Sequence, residues 1–220
     1  MPEANENTSP LVVLLDAMGV LYQAGDDVAE LLVPFIAARC PRATPAEVEA
    51  RYLEASLGRL DADAFWAGFA LPPEAEDDYL LGHRLHPGVH DFLDWARGKG
   101  IAVACLSNDV GRWSRKLRRG FGLEDRFAHW VISGDVSLRK PDPAIYQRFL
   151  ERAGVAPEQV LFVDDRARNV EAARALGLHA VLFGAGSPPP DAGHARDFAA
   201  VRRCATNLLH GEGVPFDVYG

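Results

Sequence analysis

Short unbroken apolar runs recur along the chain, at residues 11–15, 101–106, 130–132, 160–163 and 179–183, and each ends on a polar residue or a glycine. Runs this short, dominated by Val, Leu and Ile, suit strands buried on both faces. Between them the apolar positions recur at helical spacing. Val89, Phe92, Leu93 and Ala96 form one face; Ile145, Phe149 and Leu150 form another; Val170, Ala173 and Leu176 form a third. Asp142-Pro143 reads as an N-cap followed by proline at the first helical position, and Gly177 sits where a helix should stop. Strands alternating with helices predict an α/β fold on a parallel sheet with right-handed crossovers.

One stretch breaks the alternation. Residues 25–85 hold no strand-like run and show helical patterns at 28–38, 45–57, 61–69 and 73–81, separated by turn residues. This predicts a small helical domain inserted after the first strand. The core domain then comprises residues 11–24 and 86–220, behind a disordered polar tail at 1–10. Pro188-Pro189-Pro190 reads as a stiff linker to a last amphipathic helix near 196–209, whose role the pattern does not disclose.

Composition narrows the class without naming a function. The chain has 220 residues, with 48% hydrophobic and 25% charged, and a formal net charge of -8. These values describe an ordinary soluble globular protein with room for one sizeable core and a small insertion. The densest basic run, Arg112 to Arg119, falls at helical spacing and reads as a solvated helix face, so no nucleic-acid partner is expected. No apolar stretch is long enough to span a membrane. Cys40, Cys105 and Cys204 are widely spaced, show no metal-ligand pattern, and fit a reducing cytoplasm.

In an open α/β sheet, ligands bind beyond the carboxyl ends of the strands. The residues there are Asp16, then Ser107-Asn108-Asp109, then Arg139-Lys140-Pro141 ahead of a helix, then Asp164-Asp165. Singly each has an ordinary reading. Asp16 can begin a turn, Ser107 and Asn108 can cap a helix, Lys140 can be solvated, and Asp165 can cap the helix starting near Arg166. Together they bring carboxylates, a hydroxyl and an ammonium to one sheet edge. Carboxylates converging there repel unless a cation lies between them, and a hard divalent ion with oxygen ligands fits.

The four segments, in this order, resemble the motifs of the haloacid dehalogenase-like superfamily, and the stretch from Val163 to Ala173 is an especially good match. The resemblance spans residues 11–183. It implies a three-layer Rossmann-like core, and a subgroup with a helical cap inserted between the first and second motifs. It implies a hydrolase in which Asp16 attacks phosphorus to form an aspartyl-phosphate, while Ser107, Asn108 and Lys140 hold the phosphoryl group. It also implies a magnesium cofactor, ligated by Asp16, Asp165 and the backbone carbonyl of Met18, with Asp164 as ligand or support. The expected partner is a small phosphorylated metabolite.

The sequence departs from that pattern at one point. Family phosphatases usually carry a second aspartate two residues after the nucleophile, which protonates the leaving group; here the residue is Met18. A thioether cannot donate that proton, and its loss should lower the rate by about 10²–10⁴ for a poor leaving group. If the chain still supplies a proton, His83, His86 or a substrate hydroxyl are the next candidates. Two other readings stay open: a catalytically silent member that binds a phosphorylated ligand or a protein, and a metal-independent haloacid dehalogenase. No lysine lies between Ala24 and Gly98, which disfavours Schiff-base chemistry in the cap. Arg51, Arg59, Trp66 and Tyr79 could reach the cleft, but as single residues they read as solvated or packed.

Overall fold

The computed structural model describes residues 11–184, 194–212 and 214. The expected tail at 1–10 and the expected proline linker lie outside the described residues. The apolar runs form the strands β1 (Val12–Leu15), β2 (Ala102–Ser107), β3 (His129–Ile132), β4 (Val160–Asp164) and β5 (His179–Phe183). A two-residue edge strand, β6 (His194–Ala195), joins them and is too short to leave a pattern in the sequence. All pairings are parallel and the order is β3-β2-β1-β4-β5-β6. The chain reverses its direction of winding at β1, the position where open α/β sheets place their ligands.

The runs are continuously apolar because alternate residues enter different layers. Val13, Leu15, Val103, Cys105, Leu161 and Val163 belong to one apolar cluster. Val12, Leu14, Ala104, Leu106, Val160 and Phe162 belong to the cluster on the other face. A strand with helices on both sides has no face to leave polar.

After β1 the chain enters the helical insertion: α1 (Val33–Arg39), α2 (Pro45–Ala55), α3 (Ala62–Ala67) and α4 (Ala75–Leu80). The helix expected as one piece over 28–38 instead opens with a π-helical turn, Val28–Leu32, in which the Val33 N–H reaches back to the Val28 carbonyl. Pro34 follows at once and lacks the N–H an ordinary turn would use. Thr44 and Glu47 form a capping box at α2, and Asp61 caps α3. The two crossings between core and insertion lie side by side: Gln23 N–H donates to Arg84 carbonyl at 3.0 Å, and His86 N–H to Leu21 carbonyl at 2.7 Å.

The core then continues through α5 (Val89–Gly98), α6 (Gly111–Gly120), α7 (Ser133–Val136), α8 (Pro143–Ala153), α9 (Ala167–Ala175) and α10 (Phe198–Leu209). Asp142 caps α8 through the Ala144 N–H, and Gly177 takes a positive φ of 87° just past α9, both as the sequence predicts. The last helix seats Phe198 against Phe92, Phe183 and His86, so α10 packs beside α5 on one face of the sheet near β5.

The basic run on α6 is solvated only in part: Arg119 and Lys116 are exposed, as the spacing suggested, but Arg112, Arg115 and Arg118 are engaged. Arg118 is buried and pairs with Glu124, and Arg115 pairs with Asp135. Arg112 and Lys116 reach Glu76 of α4, a carboxylate with no exposed surface. Periodicity reports which positions share a helix face; it does not report that the inserted helices bring acids to meet that face.

Candidate active site

Register explains how the distant motif residues meet. Leu15 stands opposite Cys105 on one side and Val163 on the other, so the three strands end level. Asp16 follows directly, with its N–H donating to the Val163 carbonyl at 2.9 Å. Ser107 ends β2 and Asp164 ends β4. Lys140 arrives from the loop before α8, across a cis Lys140-Pro141 bond. Asn108 clamps its backbone: the Asn108 amide donates to the Lys140 carbonyl at 2.9 Å and accepts from its N–H at 2.8 Å.

Lys140 is the hinge of the electrostatics. Its Nζ lies 2.7 Å from Asp16 Oδ1 and 2.7 Å from Asp164 Oδ2. Burial alone would lower the Lys140 pKa, but the Asp16 and Asp164 carboxylates override it and the pKa is raised. Asp164 also accepts from the Asn169 amide at 3.0 Å and the Arg166 N–H at 2.8 Å. Its oxygens are therefore satisfied by protein. Asp165 does not act as the cap of α9; the N-cap position is Arg166, and it makes no side-chain cap.

Asp165 has the opposite character to its neighbour. Its Oδ1 is buried and has no hydrogen-bond partner. Its Oδ2 is held so close to the first-motif loop that a Cβ at Gly19 would sit 2.3 Å from it, and one at Gly25 would sit 2.9 Å away. Gly19 also has φ +78°, so only glycine serves there without strain. Asp16, Asp164 and Asp165 each offer an oxygen within 4.8 Å of the others. Burial pushes Asp16 up to about 8, with Asp164 and Asp165 adding to the rise and Lys140 opposing it. Burial and Asp164 push Asp165 up to about 6. A set of carboxylates that destabilise one another's charge, one with an orphaned buried oxygen, is the donor set a divalent cation satisfies.

The site opens into a cavity of about 350 Å³. That is the small end of the roughly 300–1,000 Å³ range of small-molecule pockets. Asp16, Met18, Ser107, Asn108, Lys140 and Asn169 line its floor. Ser107 Oγ and Asn169 Oδ1 are buried without partners. The insertion contributes Asp26, Asp27, Val28, Glu49, Tyr52 and Leu53, and the core adds Arg139 and Arg166. Of these, the sequence pattern does not single out Asp27 or Tyr52, and it gives Arg139 and Arg166 only as neighbours of Lys140 and Asp165. A carboxylate pair immediately before a helix-opening turn is the faint signal that Asp26 and Asp27 left. Tyr52 donates to the Asn108 carbonyl at 3.0 Å, which ties α2 of the insertion to the second motif.

The residues suspected of entering the cleft behave differently. Arg51 donates to Ala64 within the insertion, and Arg59 pairs with Glu54. Trp66 is fully buried. Tyr79 is buried and touches the cavity only through Asp27. Neither histidine lines the cavity: His83 is packed against Tyr22 and Tyr79, and His86 against Phe183 and Phe198. Burial lowers His83 to about 4.

The model of the haloacid dehalogenase-like hydrolase family matches residues 11–177, and the chain belongs to that family. Among curated proteins it is 38% identical over 109 residues to a phosphoglycolate phosphatase of Pseudomonas putida, covering 48% of this chain and 40% of that protein. It is 39% identical over 108 residues to a phosphoserine phosphatase of Thermus thermophilus, covering 49% of this chain and 43% of that protein. The matched segments are thus about half of this chain and less than half of those relatives. Among solved structures, a haloacid dehalogenase family enzyme of Bacteroides thetaiotaomicron, in complex with magnesium and inorganic phosphate, superposes with a TM-score of 0.69 at 20% identity. It covers 82% of this chain and 97% of its own, and the likeness is one of fold.

Proposed function

We propose that the protein is a magnesium-dependent phosphatase of small phosphorylated metabolites, working through an aspartyl-phosphate on Asp16. The observation that carries this reading is the pairing of satisfied and unsatisfied groups around the strand ends at one cavity, with Asp16, Ser107 and Lys140 lining it and Asp164 and Asp165 clustered beside Asp16. Lys140 holds Asp16 and Asp164 at 2.7 Å each, while Ser107 Oγ and Asp165 Oδ1 are buried with nothing to bind. Buried polar atoms without partners are costly, and a ligand that meets them repays the cost.

In this reading Asp16 Oδ attacks phosphorus in line with the departing oxygen. Ser107 donates to a phosphoryl oxygen, Lys140 sets its charge beside the same group, and Asn108 keeps Lys140 in place through its backbone. Asp165 and Asp16 would hold the cation with the Met18 carbonyl, and Asp164 would orient Lys140 and Asn169. When bound, magnesium supplies charge neutralisation between the carboxylates and the phosphate. Residues 25–85 would act as a cap whose α2 and π-turn face the cavity and select the rest of the substrate. All three cysteines are free and buried, which fits a reducing, cytoplasmic setting.

A panel of phosphate esters, assayed with magnesium and with chelator, tests the reading. Turnover that needs magnesium supports it, and no turnover of any ester would refute it. Met18 favours a second reading, a silent member that binds a phosphorylated ligand without hydrolysing it. Calorimetric binding of phosphate esters without product formation would be its signature. Dehalogenation that continues in chelator would instead select the metal-independent dehalogenase.

A further inference from the structure

An alkoxide is a poor leaving group, so its departure from phosphorus needs a proton from the cavity wall. Met18 occupies that wall beside Asp16 and has no proton to give. The remaining titratable lining residues narrow quickly. Lys140 is bound between two carboxylates, and Arg139 and Arg166 do not lose their protons. Tyr52 is committed to the Asn108 carbonyl, and burial raises its pKa well above the usual tyrosine value. Asp26 and Glu49 are exposed, and Asp26 accepts from the Ala29 N–H. Asp27 is left, a cavity-lining carboxyl with only 5% exposure.

We propose that Asp27 is the general acid and base of this enzyme, acting from the insertion in place of the residue at Met18. The inference rests on the phosphatase reading above. Its geometric support is threefold. Asp27 and Asp16 line the same cavity. Asp27 Oδ2 accepts from the Tyr79 hydroxyl at 3.2 Å, which fixes the carboxyl from behind. Asp27 also stands at the head of the π-helical turn Val28–Leu32, and such turns occur frequently at functional sites. No lysine or arginine forms an ion pair with it among the described residues, so nothing holds it permanently ionised. Burial pushes its pKa up to about 6, against the hydrogen bond from Tyr79. An acid in that range can both give and take a proton near neutral pH.

The steps balance. Asp16 Oδ bonds to phosphorus as the ester P–O bond breaks, and the departing oxygen takes the Asp27 proton. Ionised Asp27 then takes a proton from the water that attacks the aspartyl-phosphate. The bond from Asp16 Oδ to phosphorus breaks, inorganic phosphate leaves, and Asp27 is protonated again.

The test uses the full chain with magnesium and two substrates, ethyl phosphate and 4-nitrophenyl phosphate. The second leaves without a proton. Asp27→Asn should lower kcat/KM for ethyl phosphate by about 10²–10⁴ and for the aryl ester by less than about tenfold. Asp27→Glu should restore part of the ethyl phosphate loss. Tyr79→Phe gives an independent reading, because removing a donor to the ionised form should move the alkaline limb of the ethyl phosphate profile upward. The groups facing Asp27 that shape this limb are Asp26 beside it, Tyr79, Tyr52, and Asp109 and Arg166 of the core. Equal losses on both esters, unchanged ethyl phosphate turnover, or an unmoved limb in Tyr79→Phe would overturn the assignment alone. A wild type that turned over neither ester would overturn the phosphatase reading and this assignment together.

Discussion

Two clusters of buried charge sit in this molecule, and they are built on opposite principles. Glu76 has no exposed surface, yet both its oxygens are met. Arg112 Nε donates to each at 3.0 Å, Lys116 lies 2.9 Å from Oε1, and Trp113 donates to Oε2 at 2.7 Å. Around it Trp66, Trp113 and Tyr79 pack ring against ring. In the cluster of Asp16, Asp164 and Asp165, the Lys140 ammonium pairs with the first two, and Asp165 Oδ1 and nearby Ser107 Oγ are left unpaired. Completeness marks the first as the bolt between α4 of the insertion and α6 of the core. Incompleteness marks the second as a place for something else. Burial and charge do not separate a structural cluster from a ligand site; hydrogen-bond accounting does.

The sharpest break of this contrast is Asp16→Asn. Turnover of any ester should fall by about 10⁴-fold or more, because an amide is no nucleophile. The fold should survive, since Lys140 keeps Asp164 and a repulsive charge is gone. Steady-state kinetics beside a thermal melt reads both halves, and retained turnover would end the covalent mechanism. Glu76→Gln should do the reverse. Leaving Arg112 and Lys116 without their buried partner should destabilise the protein by about 3 kcal/mol, a fall in Tm of roughly 6–12 °C for a chain of this size. A melt that does not move would mean that the complete cluster is not a fastening.

Magnesium sharpens the comparison from the other side. At a hundredfold excess over Kd it should stabilise the wild type by about 2.7 kcal/mol. Asp165→Asn should shrink that gain, whereas Glu76→Gln should preserve it, as differential scanning calorimetry with and without the ion can show. The smallest expected effect is the pH dependence contributed by Asp27. Its folded value of about 6 lies above the ordinary aspartate value of 3.8. The stability it lends is full below the unfolded value and is lost as pH rises through about 6. Between pH 5 and pH 7 the loss should be about 1 kcal/mol, and it should be absent from Asp27→Asn. An identical pH profile in the two proteins would show that Asp27 ionises as freely folded as unfolded.

What the chain determined by itself is local or periodic. Short apolar runs of three to six residues mark strands covered on both faces, and five of the six strands among the described residues were legible for that reason. The caps at Asp142 and Gly177 were legible because their backbone chemistry is local. Asp16, Ser107 and Asp164-Asp165 were legible because they sit at or just beyond strand ends, where the sheet itself aligns them; Lys140 comes from the loop before α8. The tertiary structure decided what depends on elements far apart in sequence. Asp27 becomes a cavity carboxyl only because Tyr79 lies behind it and Asp16 lines the same space. Arg112 and Lys116 of the basic run become a fastening only because α4 places the buried Glu76 against them. Periodicity states which side of a helix is polar. Whether that side meets water or an opposite charge is settled by packing, through the cost of burying a charge that has no partner.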